Sequence, residues 1–292
     1  MHPHQIDVTT ADVRRLLGQQ FPEWAELPIE PVPSYGTTNA MFRVGDDMVA
    51  RLPFIPGDGV DVRAEAATLE RLHGRLPTAI PRVCAVGEPA TPYPYSWSVL
   101  SWVPGEMPVP EHLRDPEGFV DDLVGFLERL RALATGAAPR AQRSGPLAPL
   151  AEPVAGAIDE LGDDFDLPLL HALWHDALAA PAWHGSPVWV HADLLPSNLL
   201  VDEQGRLCGV LDWAAAGWGE PSCELLAAWN VFPAAAREVF RDRLDVDDAQ
   251  WRRGRGWAVA QAALALPYYR NTNPGMVEMA TRALRALEQE SV

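Results

Sequence analysis

Apolar positions fall into two regimes along this chain. Through roughly the first hundred residues they form short β-prone runs. Ala40-Met41-Phe42-Arg43-Val44 and Met48-Val49-Ala50-Arg51-Leu52 flank the turn Gly45-Asp46-Asp47, which predicts a hairpin. A polar, glycine-containing turn, Pro33 to Asn39, precedes it. Val62 to Leu72 changes period: Leu69, Leu72 and Leu76 share a helical face, with Glu65 one turn before Leu69. Beyond Asp115 the pattern is mainly helical. Asp115-Pro116-Glu117 reads as an N-cap with proline in the first turn, and Phe119, Leu123, Leu127, Leu130 and Leu133 mark one face. Thr135 to Pro149, rich in Ala, Gly and Pro, reads as a surface loop, and further helices are expected at Pro168–Ala180, Pro233–Leu244, Trp257–Tyr269 and Gly275–Glu288. Between them lie three short apolar runs, Val188–Val190, Leu199–Val201 and Leu207–Leu211, the last two separated by the turn Glu203-Gln204-Gly205.

That β-rich insert carries the chemistry. His191-Ala192-Asp193-Leu194-Leu195-Pro196-Ser197-Asn198 is followed by Asp212 at the end of an apolar run. An Asp, an Asn five residues later and a second Asp closing a strand is the order in which protein kinases carry a catalytic base and two magnesium ligands. Asp193 is placed to accept the proton of an attacking hydroxyl, while Asn198 and Asp212 offer the oxygen ligands that Mg²⁺ prefers. His191 is expected to be structural, bonding backbone near Asp212. Upstream, a glycine-containing loop able to cover phosphates precedes a strand cation, Arg51, and a helix carboxylate, Glu65. That pair steadies the α- and β-phosphates in kinases.

These residues together resemble the aminoglycoside phosphotransferase-like family of antibiotic and small-molecule kinases. The resemblance runs from Tyr35-Gly36-Thr37-Thr38-Asn39-Ala40-Met41-Phe42-Arg43 and Val49-Ala50-Arg51-Leu52-Pro53 through His191-Ala192-Asp193 to Gly217-Trp218-Gly219-Glu220-Pro221-Ser222-Cys223-Glu224-Leu225. It implies an α+β, two-lobed protein-kinase-like fold. Residues 1–103 would form a small antiparallel β lobe with one main helix that binds the nucleotide, and residues 104–292 a larger, mostly helical lobe for catalysis and substrate, with ATP in the cleft. It also implies ATP or GTP with Mg²⁺: Gly36, Thr37 and Asn39 in the phosphate loop, Arg51 with Glu65 on the phosphates, and the Ser101 carbonyl and Val103 amide on adenine. Asp193 matches the base, and Asn198 and Asp212 the metal ligands. Three positions depart from the family pattern. Ala192 stands where relatives often have Gly, Arg51 replaces a common Lys, and Glu220 and Glu224 stand where Asp is usual. The two glutamates are read as shaping the turn and holding the catalytic loop.

Composition narrows the partners. Forty acidic residues against 23 basic ones give a formal net charge of −17, which opposes nucleic-acid and anionic-membrane binding and attracts cationic small molecules. The densest acidic stretch, Asp159 to Asp166, reads as a solvated face. The start lacks a charged-then-apolar signal and no uninterrupted apolar run has membrane length, so a cytoplasmic setting is expected. Cys84, Cys208 and Cys223 lack metal-type spacing and are expected as free thiols. His171 and His175 share a helical face without the glutamate of a zincin motif, so ordinary packing is expected. The activity expected is transfer of a γ-phosphoryl group to a small-molecule hydroxyl, foremost that of an aminoglycoside-type antibiotic. The alternatives are a metabolic kinase for an amino alcohol, sugar or macrolide, and a nucleotide-binding pseudokinase.

Overall fold

The computed structural model describes residues 5–33, 38–54 and 61–289. The chain divides into two compact units, Met1–Pro104 and Gly105–Val292.

In the N-terminal unit, α1 (Thr10–Gln20) starts at a capping box in which Thr9 and Asp12 bond each other's backbone amides. Five strands follow: β1 (Ile29–Pro31), β2 (Asn39–Val44), β3 (Met48–Pro53), β4 (Val83–Gly87) and β5 (Trp97–Ser101). They make an antiparallel sheet in the order β1-β2-β3-β5-β4, with β2 and β3 forming the expected hairpin. Val13, Leu16 and Leu17 of α1 join Phe42, Val44, Ala50, Leu52, Trp97 and Val99 in one buried cluster. Each large apolar side chain so buried is worth about 1.5–3 kcal/mol. Alternation along β3 sends Ala50 and Leu52 into this cluster and Arg51 to the opposite face. There it meets Glu65 of α2 (Val62–Leu72), a helix capped by Asp61. α2 stops at Leu72, short of Leu76: His73 leaves helical geometry at ψ 131° and Gly74 follows with a left-handed φ of +69°.

The C-terminal unit is mostly helical: α3 (Pro116–Arg131), α4 (Ala151–Asp159) and α5 (Leu167–Leu178) precede the β insert, while α6 (Ala227–Asn230), α7 (Ala234–Arg243), α8 (Asp248–Tyr269) and α9 (Pro274–Glu288) follow it. The insert holds β6 (Val188–Val190), β7 (Leu199–Val201), β8 (Leu207–Val210) and β9 (Gly217–Gly219), paired β6 with β9 and β7 with β8. α8 packs against α4, α5 and α9.

Two expectations change and a third holds. α8 begins nine residues before Trp257, since its arginines are neutralised inside the fold: Arg253 bonds Glu220, and Arg252 and Arg255 both bond Asp176. The 135–149 segment is not a plain surface loop, because Ala138, Ala141 and Leu147 are buried and residues 139–142 run beside β9. The acidic run is solvated as expected, with Asp159, Glu160, Asp163, Asp164 and Asp166 all exposed, and it connects two helices. Asp159 ends α4 and accepts from His171 at 2.9 Å, and Asp166 caps α5. The three cysteines are free, and among the described residues no helix is long and apolar enough to cross a membrane.

Candidate active site

In the C-terminal unit, the chain leaves β6 at His191 and returns at Leu199, so residues 191–198 form a loop whose ends are pinned. His191 is fully buried, and its Nε2 lies 2.8 Å from the Leu211 carbonyl. The Leu211 amide donates to the Asn198 carbonyl at 2.8 Å, which continues the β7–β8 pairing by one step. These two bonds place Asn198 and Asp212 at neighbouring ends of one hairpin, with the Asp193 loop alongside. Asn198 Nδ2 donates to the Asp193 carbonyl at 2.8 Å and to its Oδ2 at 3.1 Å.

Two non-glycine residues here are left-handed: Ala192 at φ +65° and Asp212 at φ +58°. Each such conformation costs about 1–2 kcal/mol for an L-residue. It persists only where surrounding contacts over-determine it. Ala192 is held by packing against Val190, Ala215 and Cys223 and by its amide, which donates to Glu224 Oε1 at 2.9 Å. The left-handed backbone gives a physical reason for glycine to serve as an alternative at this position. Glu224 therefore holds the loop, as expected, while Glu220 accepts from Ser222 and Arg253, both at 2.5 Å.

Sequence reasoning missed Arg143. Its Nη1 forms an ion pair with Asp193 Oδ1. The segment carrying it is stitched to the insert: Trp218 N donates to the Pro139 carbonyl, Ala141 N to the Trp218 carbonyl and Gln142 N to the Ala215 carbonyl. Gly217 permits that approach, since a Cβ there would stand 2.4 Å from the Pro139 oxygen. Among composition cues, only the glycines of Gly217-Trp218-Gly219 hinted that another backbone passes close by. Burial pushes the Asp193 carboxyl above the usual carboxylate range and the nearby Asp212 acts in the same direction, while Arg143, His191 and Asn198 pull it down.

In the N-terminal unit, Arg51 and Glu65 are both buried and ion-paired, Nη1 of Arg51 reaching both carboxylate oxygens. Asn39, also buried, lies beside them. With its amide turned so that the oxygen faces the guanidinium, it accepts from Arg51 Nε and Nη2 at 3.1 Å. Gly36 and Thr37 lie outside the described residues. Ser101 ends β5 opposite Met48, with its Oγ accepting from Arg82 N at 2.8 Å, and Val103 follows, buried.

Among the described residues no cluster of three or more His, Cys, Asp and Glu side chains could hold a metal. The donor set Asn198 and Asp212 nonetheless suits Mg²⁺, which takes one or two protein oxygens and completes its shell with water and phosphate. The Asn198 amide nitrogen is turned onto Asp193, so its side-chain oxygen is the atom that would face a cation.

The phosphotransferase enzyme family matches residues 29–259 of the chain. The chain belongs to this family. A relative in Bacillus subtilis (strain 168), the uncharacterized protein YcbJ, is 30% identical over 115 residues, 38% of this chain, and the match spans 33% of that relative's length. Two solved structures of phosphotransferases share the fold across nearly the whole chain. The GDP and kanamycin complex of APH(2″)-IIIa has a TM-score of 0.75 at 16% identity, covering 94% of this chain and 98% of that one. A macrolide 2′-phosphotransferase type I has a TM-score of 0.64 at 20% identity, covering 96% and 98%. The fold is thus protein-kinase-like, with an antiparallel N-terminal sheet and a mostly helical C-terminal part.

Proposed function

We propose that this member of the phosphotransferase enzyme family moves the γ-phosphoryl group of ATP or GTP onto a hydroxyl of a small molecule. The observation that carries the reading is Asp193, Asn198 and Asp212 held at one hairpin by the His191 to Leu211 and Leu211 to Asn198 bonds. Asp193 orients the acceptor hydroxyl and takes its proton as the oxygen attacks the γ-phosphorus and the bond to the bridging oxygen of the nucleotide breaks. Asn198 and Asp212 would hold Mg²⁺, which when bound offsets the charge on the phosphate oxygens. Arg51, held by Glu65, takes the phosphate-steadying role, and Ser101 and Val103 the backbone contacts to the base.

An aminoglycoside-type acceptor is supported by the kanamycin-bound structure that shares the fold. The net charge of −17 favours encounter with ammonium-bearing molecules. A neutral sugar or macrolide is the second reading, and Arg143 on Asp193 favours it. Purified protein with ATP or GTP and Mg²⁺, screened against antibiotic and metabolite panels, should add one phosphoryl group to an acceptor by mass. No mass gain across the panels, with hydrolysis no faster than in buffer, would remove the proposal.

A further inference from the structure

Arg143 changes what an acceptor meets on reaching Asp193. Both carboxylate oxygens of Asp193 are engaged: Oδ1 by Arg143 Nη1 and Oδ2 by Asn198 Nδ2 at 3.1 Å. A hydroxyl that reaches this carboxylate therefore arrives beside the guanidinium. The cation is also the more accessible partner, since 53% of the Arg143 side chain is exposed against 14% for Asp193. A guanidinium carries five N–H donors in a planar fork, so an arginine bound to one oxygen can donate to another.

The position is built, not a chance of a long surface side chain. On one side the Gln142 amide bonds the Ala215 carbonyl and its Nε2 donates to the Ala214 carbonyl at 3.1 Å. On the other, Ser144 Oγ accepts from the Glu220 amide at 2.7 Å and donates to the Glu220 carbonyl at 3.1 Å. Both neighbours of Arg143, Gln142 through its backbone and side chain and Ser144 through its hydroxyl, are thereby tied to the segment following Asp212.

We infer that Arg143 is a specificity-determining residue of the acceptor subsite: it selects a reacting hydroxyl flanked by oxygen groups, such as a second hydroxyl or a carboxylate, over one flanked by ammonium. The inference rests on the phosphotransfer reading. It deepens that reading by naming the chemistry next to the reacting atom. Like charges in contact are penalised strongly, whereas an oxygen acceptor gains a charge-assisted hydrogen bond. The acidic surface does not contradict this. Its field acts at encounter and is screened over about 8 Å, while Arg143 acts at contact. A polyamine acceptor remains usable through a hydroxyl distant from its ammonium groups.

The test uses acceptor pairs that differ only in carrying a hydroxyl or an amine beside the reacting hydroxyl, such as a hexose unit and its 2-amino analogue. For the wild type, R143Q and R143K, kcat/KM is measured for both members, together with binding of each to the Mg²⁺–nucleotide-loaded protein by calorimetry. The wild type should prefer the hydroxyl member by about tenfold or more, R143K should keep part of that preference, and R143Q should lose it. If Arg143 only holds Asp193, R143Q lowers turnover of both members alike with an unchanged ratio, and the inference is overturned. If no acceptor is phosphorylated yet binding shows the Arg143-dependent preference, the phosphotransfer reading fails while the subsite stands. Equal binding of both members to wild type and R143Q overturns the subsite.

Discussion

Glu224 is buried beneath the Asp193 loop, and the Ala192 amide donates to its Oε1 at 2.9 Å. Replacing Glu224 with Ala orphans that amide, at about 1–3 kcal/mol. It also removes a buried methylene worth about 0.8 kcal/mol. Glu224→Gln keeps both the methylene and the acceptor. The two variants should therefore differ by about 2–4 kcal/mol, roughly 5–15 °C in Tm for a unit of this size. pH separates them further. Burial pushes the Glu224 carboxyl above its ordinary value of 4.5, opposed by His191, Arg131 and the Ala192 amide. The neighbouring Cys223 thiol is itself pushed up, first by burial and next by the charge on Glu224. A carboxyl raised in the folded state binds its proton more tightly there than in the unfolded chain. Its contribution is full below about 4.5 and is lost as pH rises through the folded value. Melting curves from pH 4.5 to 8 should show this decline in the wild type and a shallower one in E224Q. Since the amide positions the loop, E224A should also lose about 10²-fold in kcat. Equal Tm for E224A and E224Q, or a wild-type slope retained in E224Q, would refute the reasoning.

Asp193→Asn should lower kcat by about 10²–10⁴-fold while nucleotide affinity changes little, read by steady-state kinetics and calorimetry on the same preparation. Asp212→Ala should lose Mg²⁺-dependent nucleotide binding and activity together, and unchanged Mg²⁺–ATP affinity would remove it from the metal site. Gly217→Ala places a Cβ 2.4 Å from the Pro139 oxygen and should cost about 1–3 kcal/mol. Because that contact docks the segment bearing Arg143, G217A should also reduce acceptor discrimination in the paired-substrate assay.

The sequence by itself carried the hairpin bearing Arg51, the helix bearing Glu65 and the order Asp193, Asn198, Asp212. Each is a local pattern of alternation, helical period or short-range spacing, set by backbone geometry. The family resemblance also implied that Glu220 and Glu224 shape the turn and hold the loop, which the Ala192 bond bears out for Glu224. Tertiary structure alone decided the rest. Arg143 lies 50 residues from Asp193 in the chain, in a stretch whose Ala, Gly and Pro content reads as loop, and only its pairing beside β9 brings the two together. Likewise the first turns of α8, with Arg252, Gly254 and Arg255, look unfit for a buried helix until Asp176 neutralises the arginines and Leu225 occupies the space that Gly254 leaves. Charges and small residues read as exposed when their partners are distant in sequence. Their burial is favourable only once the fold supplies the opposite charge or the close-packed neighbour.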